Sequence, residues 1–173
     1  MKHILAITLL SVLSYSCARI PSKAVAVHPF EKTKYLGKWY EIARLDFRFE
    51  KNLNNTTAEY SLRENGTIKV DNKGYNYKKN KWSQAVGTAK FREADTIAKL
   101  KVSFFGPFYA GYNVIALDKD CKYALVAGKS TDYLWILSRE TTIPDAVKNE
   151  YIDIAKRIGY KTADLVWVKH DKK

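Results

Sequence analysis

The chain has 173 residues, a formal net charge of +12, 46% hydrophobic residues and 28% charged residues. This composition excludes an intrinsically disordered protein, and the length favours a single domain. Aromatic residues reach 13%, with 12 Tyr and 4 Trp, which is typical of an all-β protein or a ligand-lined cavity. Because the lysines are scattered along the chain, we expect no nucleic-acid partner, and the charge indicates a solvated face or attraction to anionic membrane surfaces.

The N-terminus predicts an exported protein. Lys2 precedes a ten-residue apolar run, residues 4–13, which is too short for the roughly 20 residues that span a bilayer. Residues 1–16 therefore read as a signal peptide, and Cys17 after Ser16 resembles the lipidated (palmitate-bearing) cysteine of a bacterial lipoprotein. An ordinary cleaved signal is the alternative, and it leaves a Cys17–Cys121 disulfide open. Residues 17–33, with two prolines and no long apolar period, predict a lipidated tether ahead of a domain at 34–173.

From Trp39 onward, eight short runs alternate with turn signals such as Arg63–Gly66 and Gly106-Pro107. Within these runs apolar residues recur at every second position, as in Leu100, Val102 and Phe104, while lysines occupy the positions between them. Such a pattern predicts an all-β fold, an eight-stranded up-and-down antiparallel β-barrel with one interior. Small inward residues in the fourth run favour a cavity over a filled core; these are Ala85, Gly87 and Ala89.

The hydrophobic period then changes to that of a helix. An apolar stripe lies at spacings of four, three and four residues, and it packs on the outside of the barrel; the stripe is Val147, Tyr151, Ile154 and Ile158. We expect Thr142 to cap the N-terminus, with Pro144 and Asp145 in the first turn, and Gly159 to end the helix. Leu165 to Val168 predict a short final strand.

Three motifs resemble those of the lipocalins, in the same order and at the same spacing. They are Gly37-Lys38-Trp39, then Thr131-Asp132-Tyr133 in the turn before the eighth strand, and Arg139 at its end. The runs GKWYEIAR, VSFFGPFYAGYNVIALD and DYLWILSR are similar to those of bacterial outer-membrane lipoprotein lipocalins of the Blc type, relatives of apolipoprotein D. The resemblance implies that Trp39 plugs the closed end of the barrel, with the Arg139 guanidinium over its ring.

The resemblance also implies a ligand, a fatty acid or lysophospholipid, held in the barrel of a transport or storage protein. It places the protein on the outer membrane of a Gram-negative bacterium, lipid-anchored on the periplasmic face, in membrane maintenance or stress. Ala18 after Cys17 resembles the outer-membrane sorting preference. We predict as ligand-binding residues Tyr60, Asn72, Leu100, Val102, Phe104, Tyr109, Asn113 and Trp135.

The charged residues after Trp39 predict the rim of this cavity. We expect Glu41 and Arg44 near solvent or the barrel mouth, and Asp46, Arg48 and Glu50 in a loop that overhangs it. The loop is amphipathic, and a solvated loop and a lipid-contacting lid remain alternatives. The aromatic hairpin at residues 104–112 predicts a surface for a second protomer (a homodimer) or for a membrane.

Catalysis has little support in the sequence. The three histidines are His3, His28 and His170, and no nucleophile–base set or metal-ligand spacing includes them. We therefore expect no enzyme activity, no metal and no cofactor. Two alternatives to lipid carriage remain: an enzyme that uses Cys121 as nucleophile, and an envelope structural lipoprotein whose barrel is filled.

Overall fold

The computed structural model describes residues 19–172. The predicted signal peptide and the predicted lipidation site Cys17 lie outside the described residues. Within them, a short helical turn, α1, leads into nine β-strands, with one longer helix, α2, and a 3-10 turn before the last strand. The bounds of the helices are α1 Lys32–Tyr35, α2 Asp145–Ile158 and the 3-10 turn Thr162–Asp164. Those of the strands are β1 Gly37–Leu45, β2 Leu53–Leu62, β3 Ile68–Asn76, β4 Lys81–Phe91, β5 Lys99–Phe105, β6 Phe108–Leu117, β7 Tyr123–Ala127, β8 Leu134–Ser138 and β9 Leu165–Trp167.

The first eight strands form a closed antiparallel barrel, as predicted. Each strand pairs with the next in the chain, and the ring closes because β1 pairs with both β2 and β8. The first half of β1 lies against β2, from Gly37 to Tyr40, and the second half lies against β8. β9 joins outside the ring by pairing with the end of β1. Up-and-down connection places alternate turns at the same barrel end.

The barrel wall is incompletely paired between β4 and β5. β4 pairs with β3 from Lys81 to Ala89, whereas its pairing with β5 covers only Thr88–Phe91. The other half of β4, residues 81–86, is exposed at every position. The wall therefore opens sideways near one end, beside the β5–β6 hairpin.

Helix α2 packs on the outside of the barrel and covers a second core. Tyr151 and Ala155 are fully buried, and Val147, Ile154 and Ile158 pack around them, so the predicted stripe is the packed face. Gly159 ends the helix with φ +109°, in the left-handed region that glycine tolerates. Within the described part of the chain, no helix combines the length and apolarity needed to cross a membrane.

The predicted N-cap of α2, Thr142, was wrong, whereas Asp145 lies in the first turn as predicted. The helix begins at Asp145 with Pro144 as its N-cap, and no side chain caps it. The carbonyl of Thr142 instead accepts a hydrogen bond from Ser138 Oγ at 2.8 Å. Thr142 is thus tied to the end of β8, because the chain must leave the barrel before it can turn into the helix.

Part of the segment predicted as a tether lies against the barrel. Val27 donates its N–H to Val114 and accepts from Ala98, and Phe30 donates to Thr96. The Phe30 side chain is buried in the main core. The last residues before α1 therefore belong to the closed end of the barrel, while the lipidated start of this segment stays a prediction.

Candidate functional site

Trp39 and Arg139 seal one end of the barrel. Trp39 is fully buried, and its indole N–H donates to the carbonyl of Tyr35 at 2.8 Å. The guanidinium carbon of Arg139 lies 3.8 Å from the centroid of the Trp39 ring, a cation–π contact. Gly37 has φ +92°, which turns the chain tightly beneath this pair. The guanidinium also donates to the carbonyls of Lys34, Tyr35, Lys38 and Cys121.

Three tyrosine hydroxyls form the floor above this seal. The hydroxyl of Tyr112 lies 2.6 Å from that of Tyr35 and 2.8 Å from that of Tyr60. Burial raises the pKa of all three tyrosines well above its ordinary value, so the hydroxyls stay neutral. The floor is therefore a chain of neutral hydrogen-bonded hydroxyls on three aromatic side chains.

Above the floor lies a cavity of about 970 Å³. Its lower wall is apolar and comes from alternate residues of β3, β4 and β5, as the period of two predicted. Residues of this wall are Ile68, Val70, Ala89, Leu100, Val102 and Phe104. The volume is at the upper end of the range for small-molecule sites, about 300–1,000 Å³, so the barrel is not filled by its own side chains.

Seven of the eight predicted ligand-binding residues line this cavity. They are Tyr60, Asn72, Leu100, Val102, Phe104, Tyr109 and Trp135. Asn113 does not: it is fully buried in the wall, and its amide donates to the carbonyls of Ala127, Gly128 and Arg19. Its neighbours Tyr112 and Val114 point inward, so alternation turns Asn113 outward.

Glu41 and Arg44 are buried inside the barrel, which corrects the expectation that they lie near solvent. Glu41 is 4% exposed and Arg44 is 1% exposed. The guanidinium of Arg44 lies 2.7 Å from Glu41 Oε1 and 3.2 Å from Asp46 Oδ1. It also donates to the carbonyls of Glu50 and Leu53, which ties the β1–β2 loop to the wall.

Glu50 joins this cluster from the β1–β2 loop. Its Oε2 accepts a hydrogen bond from the indole of Trp135 at 3.0 Å and lies 3.9 Å from Arg44 Nε. Burial and the neighbouring Glu50 charge raise the pKa of Glu41 to about 8, and burial also raises the pKa of Glu50. One arginine thus faces three carboxylates, so the cluster holds excess negative charge or a proton.

Sequence reasoning missed four residues that shape the cavity, namely Tyr35, Tyr112, Glu41 and Glu50. Alternation from Trp39, which points inward, would have placed Glu41 inside the barrel. The same alternation from Val114 would have placed Tyr112 there. For Glu50 the sequence holds no such signal, because a loop has no fixed period.

Exposed aromatic residues and lysines surround the open end. Phe49, Tyr77, Trp82, Phe105 and Phe108 are between 46% and 79% exposed, and we call them the aromatic rim. They lie on the β1–β2, β3–β4 and β5–β6 turns, which share this barrel end. Exposed lysines accompany them at Lys51, Lys78, Lys79, Lys81 and Lys129.

The remaining predicted motif residues lie away from the cavity floor. Thr131 and Asp132 are exposed in the β7–β8 turn, where Asp132 accepts a hydrogen bond from Ser130 Oγ at 2.9 Å. Tyr133 packs over Gly128 so closely that a Cβ on that glycine would overlap it.

Cys121 is buried beside Arg139 at the closed end, and burial raises the pKa of its thiol. Among residues 19–172, no three His, Cys, Asp or Glu side chains form a group that could hold a metal ion.

A model of the lipocalin-like domain matches residues 30–170. The chain belongs to the lipocalin family. This lipocalin is 51% identical over 158 residues to outer membrane lipoprotein Blc of Escherichia coli K12. The alignment covers 91% of this chain and 89% of the relative. It is 45% identical to outer membrane lipoprotein Blc of Vibrio cholerae, over 93% of this chain and 95% of the other. Rat apolipoprotein D is 40% identical over 139 residues, 76% of this chain and 71% of its own.

Solved structures agree on the fold of this lipocalin. The cockroach allergen Per a 4 superposes with a TM-score of 0.68 at 24% identity, over 89% of this chain and 94% of its own. Apocrustacyanin C1 superposes with a TM-score of 0.69 at 16% identity, over 89% of this chain and 92% of its own. Lipocalins are in general binding and transport proteins, and at these identities the likeness concerns the barrel architecture alone.

Proposed function

We propose that this lipocalin binds a single-chain lipid, a fatty acid or lysophospholipid, in its barrel and carries or stores it without catalysis. The observation that supports this most is the 970 Å³ cavity, apolar over its lower wall and open at one end. Burying an acyl chain gains about 0.8 kcal/mol per methylene, so 12 methylenes give roughly 10 kcal/mol before ordering costs. An apolar wall supplies that gain without any specific polar contact.

The upper part of the cavity suits the head group. Arg48, Lys73 and Lys129 line the cavity where it approaches the mouth. A lipid that enters tail first keeps its polar head among these cations and water, so no charged head group has to be buried on the apolar wall. This arrangement supports a tail-down orientation.

The same proposal places the protein on the outer membrane. Cys17 is the proposed lipidation site, and the relatives with 51% and 45% identity are named outer membrane lipoproteins. We infer a periplasmic-face anchor and a role in membrane maintenance or stress. The aromatic rim and its lysines support a mouth that faces a lipid surface, although the same rim offers a surface for a homodimer.

Uptake of a fluorescent fatty acid by wild-type and cavity-blocked protein tests this function. Ala89→Phe puts a ring into the lower cavity from a position that is 2% exposed, and we expect at least tenfold weaker uptake. Ala85→Phe blocks the cavity at a more tolerant, exposed lining position. Ala94→Phe, in the exposed β4–β5 turn at the closed end, is the matched control.

Thermal melts identify a variant that fails to fold. Mass spectrometry of lipid extracted from purified protein gives a second measurement, with single-chain lipid expected in wild type. A wild-type protein that takes up no probe and carries no lipid would overturn the proposal. Unchanged uptake by both cavity variants would do the same, and would favour an envelope structural lipoprotein.

A further inference from the structure

The cavity wall carries four residues that each have a side-chain oxygen without a hydrogen-bond donor among the described residues, and we call them the acceptor patch. It consists of Glu41, Glu50, Thr56 and Asn72, which all line the cavity. Asn72 Oδ1 and Thr56 Oγ1 are buried without any hydrogen-bond partner in the described structure. An unpaired buried polar atom costs about 1–3 kcal/mol, so a ligand that satisfies it gains affinity.

The carboxylates of the patch also have open oxygens. Glu41 uses Oε1 for Arg44, and Glu50 uses Oε2 for Trp135 and Arg44. Within residues 19–172, Glu41 Oε2 and Glu50 Oε1 have no hydrogen-bond partner. Both residues line the cavity, so these oxygens are available to a ligand.

The four residues are neighbours on adjoining elements. β1 pairs with β2 through Tyr40 and Thr57, and continuing this register by one residue places Thr56 opposite Glu41. Asn72 pairs with Ala58, two residues from Thr56 on the same face of β2. Glu50 reaches the same wall through Trp135 and Arg44.

The charges around the acceptor patch favour a positively charged ligand, and its free hydrogen-bond acceptors favour a hydrogen-bond donor. Arg44 is the one cation in contact with Glu41, Asp46 and Glu50 among the described residues, so three carboxylates share a single positive charge. A second positive group would offset this repulsion and would favour the ionised form of Glu41. An ammonium group brings one positive charge and up to three N–H donors, and it accepts no hydrogen bond.

We propose that the acceptor patch is a subsite for the ammonium group of an amine-bearing single-chain amphiphile. The tail of such a ligand lies on the apolar wall, and its nitrogen sits between Glu41 and Glu50 with Thr56 and Asn72 as further acceptors. This inference rests on the proposed lipid-binding function, and for an amine-bearing ligand it places the nitrogen at the patch and not among the cations near the mouth. It runs against the formal net charge of +12, which by itself would favour anionic ligands.

Calorimetric titration with three 12-carbon probes below their micelle concentrations tests the subsite: dodecylammonium, dodecanol and dodecanoate. The protein used is Arg19 to Lys173, which holds every strand of the closed barrel and both core clusters. We expect dodecylammonium to bind at least tenfold more tightly than dodecanol. Dodecanoate is expected to bind no more tightly than dodecanol.

Isosteric variants locate the effect on the patch. Glu41→Gln and Glu50→Gln are each expected to bring the affinities for dodecylammonium and dodecanol within about threefold of each other. Thr56→Val removes the orphaned hydroxyl and should weaken dodecylammonium only. Glu59→Gln, an exposed acid on β2, is the matched control and should keep the full preference.

The outcomes separate this inference from the proposed function. Uptake of dodecanol without an ammonium preference, or a preference that survives in both glutamine variants, overturns the subsite and leaves lipid binding intact. Absence of binding for all three probes overturns both proposals. A variant that loses dodecanol binding as well is checked by its melting transition, and Thr56→Val, which removes no charge, then decides the result.

Discussion

At the scale of single residues, two arginines show how the same side chain serves different ends of one barrel. Arg139 closes the lower end through the ring of Trp39 and four backbone carbonyls. Arg44 lies inside the wall and compensates carboxylates that the barrel has buried. Removing one partner of a buried ion pair costs more than the pair itself contributes, because the remaining charge is left without compensation.

The buried carboxylate of Glu41 predicts how stability depends on pH. Its pKa is raised to about 8 from an ordinary value near 4.5, chiefly by burial and by the charge of Glu50, against the opposing effect of Arg44. Between these values the folded state binds more protons than the unfolded state. The free energy of unfolding therefore decreases as the pH rises through this window.

We expect Glu41→Gln, which cannot titrate, to flatten that decrease. Relative to wild type, the variant should gain at least about 1 kcal/mol between pH 5 and pH 8.5, with a residual slope from Glu50. Urea denaturation across this range measures the difference. The variant leaves every group that faces position 41 unchanged; these groups are Arg44, Asp46, Glu50 and Tyr60. A wild-type stability that rises with pH alongside the variant would contradict the assignment.

At the scale of elements, helix α2 is held to the barrel by an apolar face and by one hydroxyl. Tyr151 is 2% exposed, and its hydroxyl donates to the carbonyl of Tyr123 at 2.9 Å. Tyr160, just after the helix, is equally buried, but its hydroxyl has no partner in the described structure. Replacement of each tyrosine by phenylalanine therefore gives a matched comparison. It removes a hydrogen bond at position 151 and an unpaired hydroxyl at position 160.

Tyr151→Phe is expected to lower the free energy of unfolding by about 1 kcal/mol, because a buried carbonyl loses its donor. Tyr160→Phe is expected to leave stability unchanged or to raise it slightly, because it removes an unsatisfied buried hydroxyl. Chemical denaturation of both variants measures the difference. An equal loss in both would mean that the Tyr160 hydroxyl has a partner or that ring packing dominates.

At the scale of the whole molecule, one end of the barrel is sealed and the other is apolar, aromatic and basic. The aromatic rim surrounds the cavity mouth, and lysines lie between its members. Amphipathic rings and cations together are typical of surfaces that bind anionic lipid. A mouth pressed to a membrane would let an acyl chain pass from bilayer to cavity with little exposure to water.

Loss of two rim rings should therefore weaken binding to lipid vesicles. We expect Phe105→Ser with Phe108→Ser to reduce partitioning onto vesicles of 30% phosphatidylglycerol and 70% phosphatidylcholine at least tenfold, with fatty-acid uptake in solution retained. Sedimentation of unlipidated protein with the vesicles measures this, and added salt should weaken wild-type binding.

Val25→Ser with Leu62→Ser is the matched control for that experiment. It removes two exposed apolar side chains away from the rim, Val25 on the N-terminal segment and Leu62 at the end of β2. If the rim variant binds vesicles as wild type does, and changes only from dimer to monomer, the rim is a homodimer surface.

The barrel, the outer helix and the apolar wall could be predicted from the amino-acid sequence, because each depends on a local period. Alternation fixed which face of β3, β4 and β5 turns inward, and the helical stripe fixed the face that α2 buries. The end of α2 at Gly159 was equally readable, since a glycine at that point permits the left-handed turn. The start of α2 was not, because the route of the chain out of β8 ties down Thr142.

The polar part of the site depends on contacts between elements that are distant in the sequence. Glu50 reaches Trp135 from a loop, and the extrapolated β1–β2 register places Thr56 opposite Glu41; sequence spacing specifies neither arrangement. Asn113 lies in the wall instead of the cavity, and its amide donates to the backbone carbonyls of Ala127 and Gly128. Periodicity is a local property of one strand, whereas a binding site depends on how several strands are offset against one another, and that offset is set by packing in three dimensions.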